Sequence, residues 1–371
     1  MTSRRTALAW AAGTACAAAS ASPARGGPHR LRAADFGKAD LGALVGFNVG
    51  DVHHGDAAYF DAVAATGARL VRTTLPLGRC AGCHHFQRRP EDLRALATLL
   101  DRAAARGLKV VVVGGFEGIT DATFWRDAAA QDDWVDSWRL VARECGEHPA
   151  LAGLDLLNEP QPPAHASASA SGLGLAAAQA QWRALATRAA RAIRSAGCER
   201  PLIVEGVAGA SPAGLRGLQP LDDPEVVYSL HFYLPHAITH QGLAPDWPDA
   251  QVYPGTPSQR LAGGDPRLPP GPFNIERLAQ ELQPAVDFQA QHGVPLYVGE
   301  FSCIRSAPGD SALRWVSDSL ALFERLGWSW TYHEFRGWPG WDAELADRSA
   351  TLRRPDAPVM RRLRQALAAA R

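Results

Sequence analysis

Short apolar runs alternate with amphipathic stretches from about residue 43 to the end of the chain. Eight of the runs have strand length: 44–48, 70–73, 109–113, 151–157, 202–205, 226–232, 295–299 and 328–332. Several are apolar at nearly every position, as strands of a parallel sheet covered on both faces should be. Between them, apolar residues recur with helical spacing. Leu93, Leu96, Leu100 and Ala103 share one face, as do Trp182, Leu185, Ala189 and Ile193, and Leu313, Val316, Leu320 and Phe323. Trp134, Trp138, Val141 and Cys145 form a further stripe, which makes Cys145 a core thiol. Residues 357–371 read as a closing helix.

Eight βα units in succession predict a closed (β/α)8 TIM barrel, one domain over residues 43–371. An open doubly wound sheet would carry a Gly-rich phosphate loop after its first strand, and Gly46-Phe47-Asn48-Val49-Gly50 does not match one. Two connections are long: 161–174 after the fourth strand, and 235–273 after the sixth, with Trp247 and Tyr253 among many Pro and Gly. Both belong on the catalytic face of a barrel, where long loops shape clefts. Ahead of the barrel, residues 1–21 read as a signal peptide, with Arg4-Arg5 as a twin-arginine n-region and Ala19-Ser20-Ala21 as a cleavage site. Residues 22–42 form an N-terminal extension. The expected location is therefore secreted or periplasmic.

Composition narrows the partners. The 371 residues are 46% hydrophobic, enough for a large core. Lys and Arg number 38 against 38 Asp and Glu, so no basic surface invites nucleic acid. No run after residue 21 is long and apolar enough for membrane insertion. No cofactor is expected. The oligomeric state has no sequence signature. Eleven Trp are more than packing usually demands, and surplus Trp suits flat ligands such as sugar rings.

Two acids end strands on the same side of such a barrel. Glu159 follows Leu154-Asp155-Leu156-Leu157-Asn158, and Glu300 follows Leu296-Tyr297-Val298-Gly299. Period-2 alternation puts Asp155, Leu157 and Glu159 on one face, and Leu296, Val298 and Glu300 on one face of another strand. Each glutamate alone could be a surface salt bridge. Together in one mouth they can cleave a glycosidic bond, one protonating the leaving oxygen while the other attacks or activates water.

Leu157-Asn158-Glu159-Pro160 on the fourth strand and Val298-Gly299-Glu300-Phe301 on the seventh resemble glycoside hydrolase family 5 and its clan of barrel hydrolases. Arg72 in Val71-Arg72-Thr73, and His231 and Tyr233 in Leu230-His231-Phe232-Tyr233, match further positions. The resemblance covers about residues 43–340. It implies a retaining glycoside hydrolase acting on a carbohydrate, a β-linked glucan or mannan, with Glu159 as general acid/base and Glu300 as nucleophile. It also implies that Arg72 keeps Glu300 ionised, Tyr233 orients it, Asn158 binds the sugar 2-OH and His231 sets the protonation of Glu159.

The chain departs from the family pattern twice. Strand three ends in Val113-Gly114-Gly115-Phe116 where a histidine is usual, and His53 or His54 could fill that space. His333 stands where strand eight usually places a Trp platform, so either His333 serves as a smaller platform or Trp338 or Trp341 reaches in. The alternatives are a carbohydrate-binding protein on a hydrolase barrel, or a metal-dependent hydrolase using the His/Cys loops. Cys80-Ala81-Gly82-Cys83-His84-His85 could form a disulfide, carry two plain thiols, hold haem, or bind zinc with Asp51, His53 and His54 nearby. No His-Glu-x-x-His run occurs, and no metal is expected at the glutamates.

Overall fold

The strand positions sort into two faces, as a period of two requires. Outward positions, among them Val45, Phe47, Val71, Val110, Leu154, Val204, Leu230 and Val298, are buried under the helices in one large apolar cluster. Inward positions Leu70, Val111, Ile203, Val227 and Tyr297, joined by Ala152 at a register shift between β3 and β4, form a second cluster inside the sheet. The structure, a computed structural model, describes residues 31–36, 43–77, 89–115, 123–163, 173–243, 250–258 and 264–370.

The strands are β1 Val45–Asp51, β2 Leu70–Pro76, β3 Lys109–Gly115, β4 Leu151–Asp155, β5 Leu202–Glu205, β6 Val226–Phe232, β7 Leu296–Phe301 and β8 Ser329–Tyr332. All pair in parallel in sequence order, and β8 returns to β1 through Val45 and Trp330. The result is the expected (β/α)8 TIM barrel. Its covering helices are α1 Ala57–Ala65, α2 Pro90–Ala104, α3 Ala128–Cys145, α4 Leu173–Ser195, α5 Ile275–His292, α6 Ser311–Leu326 and α7 Pro358–Ala369. The stripe of α4, Trp182, Leu185, Ala189 and Ile193, is buried against the sheet, as are Trp134, Trp138, Val141 and the free thiol Cys145 of α3. Asp127 and Asn274 cap α3 and α5, each accepting a hydrogen bond from a first-turn N–H.

Two local departures from regular strand geometry decide where the glutamates point. β4 stops at Asp155, Leu157 packs into the outer cluster, and Glu159 lies beyond the strand with φ 49°. The expected common face of Asp155, Leu157 and Glu159 is therefore not formed. On β7, Leu296 and Val298 face the helices. Unbroken alternation would send Glu300 the same way. Instead the register with β6 shifts, Leu230 facing Val298 and then His231 facing Glu300, so Gly299 is the extra residue of a bulge that turns Glu300 into the mouth. A Cβ at 299 would lie 2.9 Å from Ser229 Oγ and 3.1 Å from His231 Nε2, so glycine leaves room for the imidazole.

The floor of the barrel is closed from outside the strands. Leu31, Ala33 and Phe36 join the interior cluster, with the Phe36 ring edge-on to Tyr297 at 5.7 Å. Arg32 pairs with Glu225, just ahead of β6, at 2.5 Å. Part of the N-terminal extension thus packs as a plug. The leader at 1–21, the Cys80–His85 group and portions of both long loops lie outside the described residues. No described helix is long and apolar enough to cross a membrane.

The plug sits at the end of the barrel opposite the mouth. Phe36→Ala should lower the unfolding free energy in urea by about 3–5 kcal/mol and leave ligand binding at the mouth unchanged. A loss below about 1 kcal/mol would mean that the segment does not close the floor.

Candidate active site

Arg72 stands on the inner face of β2 and is 2% exposed. A guanidinium carries five N–H groups, and here each has an oxygen acceptor. Nε donates to Asp155 Oδ2 at 3.1 Å; Nη1 donates to Asn48 Oδ1 at 3.0 Å and Glu300 Oε1 at 2.7 Å. Nη2 donates to Asn158 Oδ1 at 2.9 Å and Glu205 Oε1 at 2.8 Å. The acceptors come from β1, β4, the segment after β4, β5 and β7, so one side chain ties half of the barrel wall to a common centre.

Glu300 is held at both oxygens. The second accepts from the Tyr233 hydroxyl at 2.7 Å. Tyr233 follows β6, and its carbonyl accepts from Thr239 Oγ1 in the one-turn helix His236–Thr239 at 2.5 Å. The bulge below Glu300 is fixed through the Gly299 carbonyl, which accepts from Asn48 Nδ2 at 2.8 Å and Thr331 Oγ1 at 2.6 Å.

Glu159 is held differently. Its backbone N–H donates to Glu205 Oε2 at 2.7 Å, and its Oε1 lies 2.9 Å from His231 Nδ1. Its side chain is 36% exposed against 12% for Glu300, so Glu159 meets solvent while Glu300 lies deeper. One oxygen from each glutamate and a ring nitrogen of His231 all lie within 4.8 Å of one another. Such a trio is close enough to share a metal ion. Arg72 and Tyr233 already donate to both Glu300 oxygens, however, and the set is better arranged for moving a proton.

The charges follow from these contacts. Burial would raise the Glu300 carboxyl, but His231, His333 and Arg72, with the Tyr233 hydrogen bond, outweigh it and hold Glu300 well below the usual carboxylate range. Burial would lower His231, yet the charges of Glu205 and Glu300 and the hydrogen bond to Glu159 raise it well above an ordinary imidazole. Burial pushes Glu205 upward, and His231 and Arg72 more than offset it. Asp155 goes the other way, raised well above its usual value by burial and by the charge of Glu205. Arg72, with His231 raised beside it, therefore faces Glu205 and Glu300, both held toward their charged forms, while burial pushes Asp155 toward its neutral form.

Six of the residues singled out in the sequence meet here: Glu159, Glu300, Arg72, Asn158, His231 and Tyr233. His333 follows β8 and brings Nδ1 to 3.6 Å from Glu300 Oε2. The Trp341 ring stands edge-on to His333 at 5.2 Å, and Trp338 lies a further 5.0 Å beyond Trp341. Trp338 is 44% exposed and lies two rings out from Glu300 rather than against it. At the end of β3 no side chain fits: a Cβ at 115 would lie 2.0 Å from Thr74 Cγ2, and one at 114 would lie 2.7 Å from the Leu156 carbonyl. Neither His53 nor His54 substitutes for the usual histidine. His53 binds Asp92 at 2.6 Å, and His54 packs edge-on to Tyr59 at 4.9 Å.

Sequence reasoning missed Asn48, Asp155 and Glu205 as parts of the site. A signal for them exists. Each is a polar residue in or ending an apolar run predicted to be buried on both faces, and such a group must find a buried partner.

The comparisons with known proteins agree with this geometry. Residues 38–337 match the family model Cellulase (glycosyl hydrolase family 5). Endoglucanase C of Acetivibrio thermocellus is 28% identical over 255 residues, 64% of this chain and 68% of that protein. Cellodextrinase A of Ruminococcus flavefaciens is 24% identical over 264 residues, 69% of this chain and 70% of that protein. Among solved structures, endoglucanase Cel5A of Thermotoga maritima superposes with a TM-score of 0.63 at 21% identity, covering 89% of this chain and 98% of its own.

Lysine offers three N–H groups where five acceptors wait. Arg72→Lys should therefore destabilise the fold by about 3–5 kcal/mol in urea, because buried oxygens lose their donors. A variant as stable as the wild type would contradict the assignment of Arg72 as the central tie.

Proposed function

The chain belongs to glycoside hydrolase family 5, the cellulase family, and on that premise we propose that it cleaves a β-linked glucan by double displacement, with Glu300 as nucleophile and Glu159 as general acid/base. The observation that carries this reading is the pairing of a deep carboxylate, fixed at both oxygens, with a half-buried one within 4.8 Å oxygen to oxygen. Retaining enzymes keep their carboxyl groups about 5–5.5 Å apart, and inverting ones leave at least about 6.5 Å for a water.

In the first step, a Glu300 oxygen attacks the anomeric carbon while Glu159 gives its proton to the glycosidic oxygen. The C–O bond breaks, the leaving sugar departs with a hydroxyl, and a glycosyl ester forms on Glu300. In the second step, the Glu159 carboxylate takes a proton from water, and the resulting hydroxyl displaces Glu300. Arg72 keeps the nucleophile ionised and steady. With Oδ1 tied to Arg72, Asn158 has its amide nitrogen left to meet the sugar 2-OH. His333, Trp341 and Trp338 supply a line of rings leading outward from Glu300, suited to successive sugar faces.

The names of the relatives, an endoglucanase and a cellodextrinase, support a glucan; a β-mannan is the alternative that a substrate panel reads out. Export through the Arg4-Arg5 leader, which would bring the enzyme to a polysaccharide, is part of the same proposal.

Glu300→Gln should lower kcat by about three orders of magnitude or more on every substrate. Glu159→Gln should lose a similar factor on polysaccharide but much less on aryl glycosides whose leaving group needs no proton. Full activity in both variants, or wild-type binding without turnover, would replace this reading with that of a carbohydrate-binding protein. The initial product should keep the β configuration, as read by proton NMR. Trp338→Ala should raise KM for polysaccharide about 3- to 10-fold with little change for a short aryl glycoside; equal effects on both would remove Trp338 from the extended cleft.

A further inference from the structure

Glu205 ends β5 and has no exposed surface. Burying a carboxylate is costly unless charged or N–H partners surround it. Its close partners all belong to the proposed mechanism. Oε1 accepts from Arg72 Nη2 at 2.8 Å and lies 3.2 Å from His231 Nε2. Oε2 accepts from the backbone N–H of Glu159 at 2.7 Å. On the other side of the same imidazole, Nδ1 lies 2.9 Å from Glu159 Oε1 and 3.8 Å from Glu300 Oε2.

We propose that Glu205 is a positioning residue that controls the acid/base at two points: its Oε2 holds the backbone of Glu159, and its negative charge at Oε1 keeps the His231 imidazole protonated, so that Nδ1 presents a hydrogen to Glu159 rather than a lone pair. The inference rests on the reading of Glu159 as acid/base.

The backbone of Glu159 needs such a hold. Its φ of 49° is left-handed, a conformation costly for a residue with a side chain. The hydrogen bond to Glu205 is the contact that fixes that peptide to the barrel wall. The imidazole also has little choice of partners. Glu159 after β4, Asp155 on β4, Glu205 on β5 and Glu300 on β7 face or surround it, and Arg72 on β2 is the nearby cation. Of these, Glu205 alone contacts Nε2, the nitrogen turned away from the mouth. Gly299 leaves the space that lets the ring sit there.

The consequence for the reaction is a matter of charge. When Glu159 has given up its proton, its carboxylate faces an N–H of an imidazolium. When it recovers a proton from water, the imidazolium is unchanged. Glu205 thus sets the pH range over which His231 keeps its proton without touching the substrate. Removing the negative charge beside the imidazolium lowers the pKa of His231, so without it His231 gives up its proton, and the hydrogen it presents to Glu159, at lower pH, and the alkaline limb of activity moves down with it.

The test compares wild type with Glu205→Gln, which keeps the shape and removes the charge. The alkaline limb of kcat/KM on an aryl cellobioside should move down by about one pH unit or more, with KM on the acid side unchanged within about twofold. By NMR, the His231 imidazole should stay protonated at neutral and mildly alkaline pH in the wild type and titrate within that range in the variant. A variant with an unmoved limb and an imidazole that still holds its proton would reduce Glu205 to a structural post and overturn the proposal. The wild-type titration needs no variant: a neutral His231 at pH 7 overturns the proposal even where Glu205→Gln does not fold. A wild type that hydrolyses no glycoside would instead sink the reading of the site as a hydrolase, and the imidazole titration would still decide the role of Glu205.

Discussion

Arg72 has five N–H groups and five oxygen acceptors, inside a barrel that leaves it 2% exposed. That balance constrains everything above it. A buried guanidinium left short of acceptors would be expensive, and so would any of its acceptors left without a donor. The strands carrying Asn48, Asp155, Glu205 and Glu300 are therefore held in one relative register by chemistry as well as by packing. The floor of the barrel is a plain apolar jigsaw, closed by Phe36 and Tyr297. The polar layer around Arg72 sits on it, and the mouth sits on that layer.

The two glutamates reach the mouth by irregular backbone, and they are irregular in different ways. Glu300 is brought inward by a one-residue bulge at Gly299, clamped through its carbonyl by Asn48 and Thr331. Glu159 leaves the strand and turns through a left-handed residue tied to Glu205. The different holds suit the different tasks proposed for them. A nucleophile works best as a fixed anion, and Glu300 is gripped at both oxygens. A residue that gives and takes a proton must face the substrate, and Glu159 is the more exposed of the two, with the His231 imidazole at its side.

Much of this was legible in the sequence because apolar periodicity is a direct record of burial. The eight strands, the helical stripes and the core thiol Cys145 follow from it. The order of Glu159, Glu300, Arg72, His231 and Tyr233 along the strands was enough to bring them together. What alternation could not supply was direction. It placed Leu157 with Glu159 and Val298 with Glu300, while the structure turns those leucine and valine side chains outward, because a bulge and a left-handed turn leave no trace in polarity. Glu205 was passed over for a related reason. The doubly buried apolar run it ends marks it as a group that needs a buried partner, but alternation does not say which partner that is. The glycines at the end of β3 were read as a missing histidine, and the structure explains them by the closeness of Thr74 and the Leu156 carbonyl.

The central claim is that Glu300 becomes covalently bonded to the sugar during turnover. It is tested most directly by incubating the enzyme with a fluorinated, slowly released cellobioside and locating the label by peptide mass spectrometry. The account predicts one sugar per chain, ester-linked to the peptide that contains Glu300. A label on another residue, or turnover of natural substrate with an inverted product and no trapped ester, would contradict it.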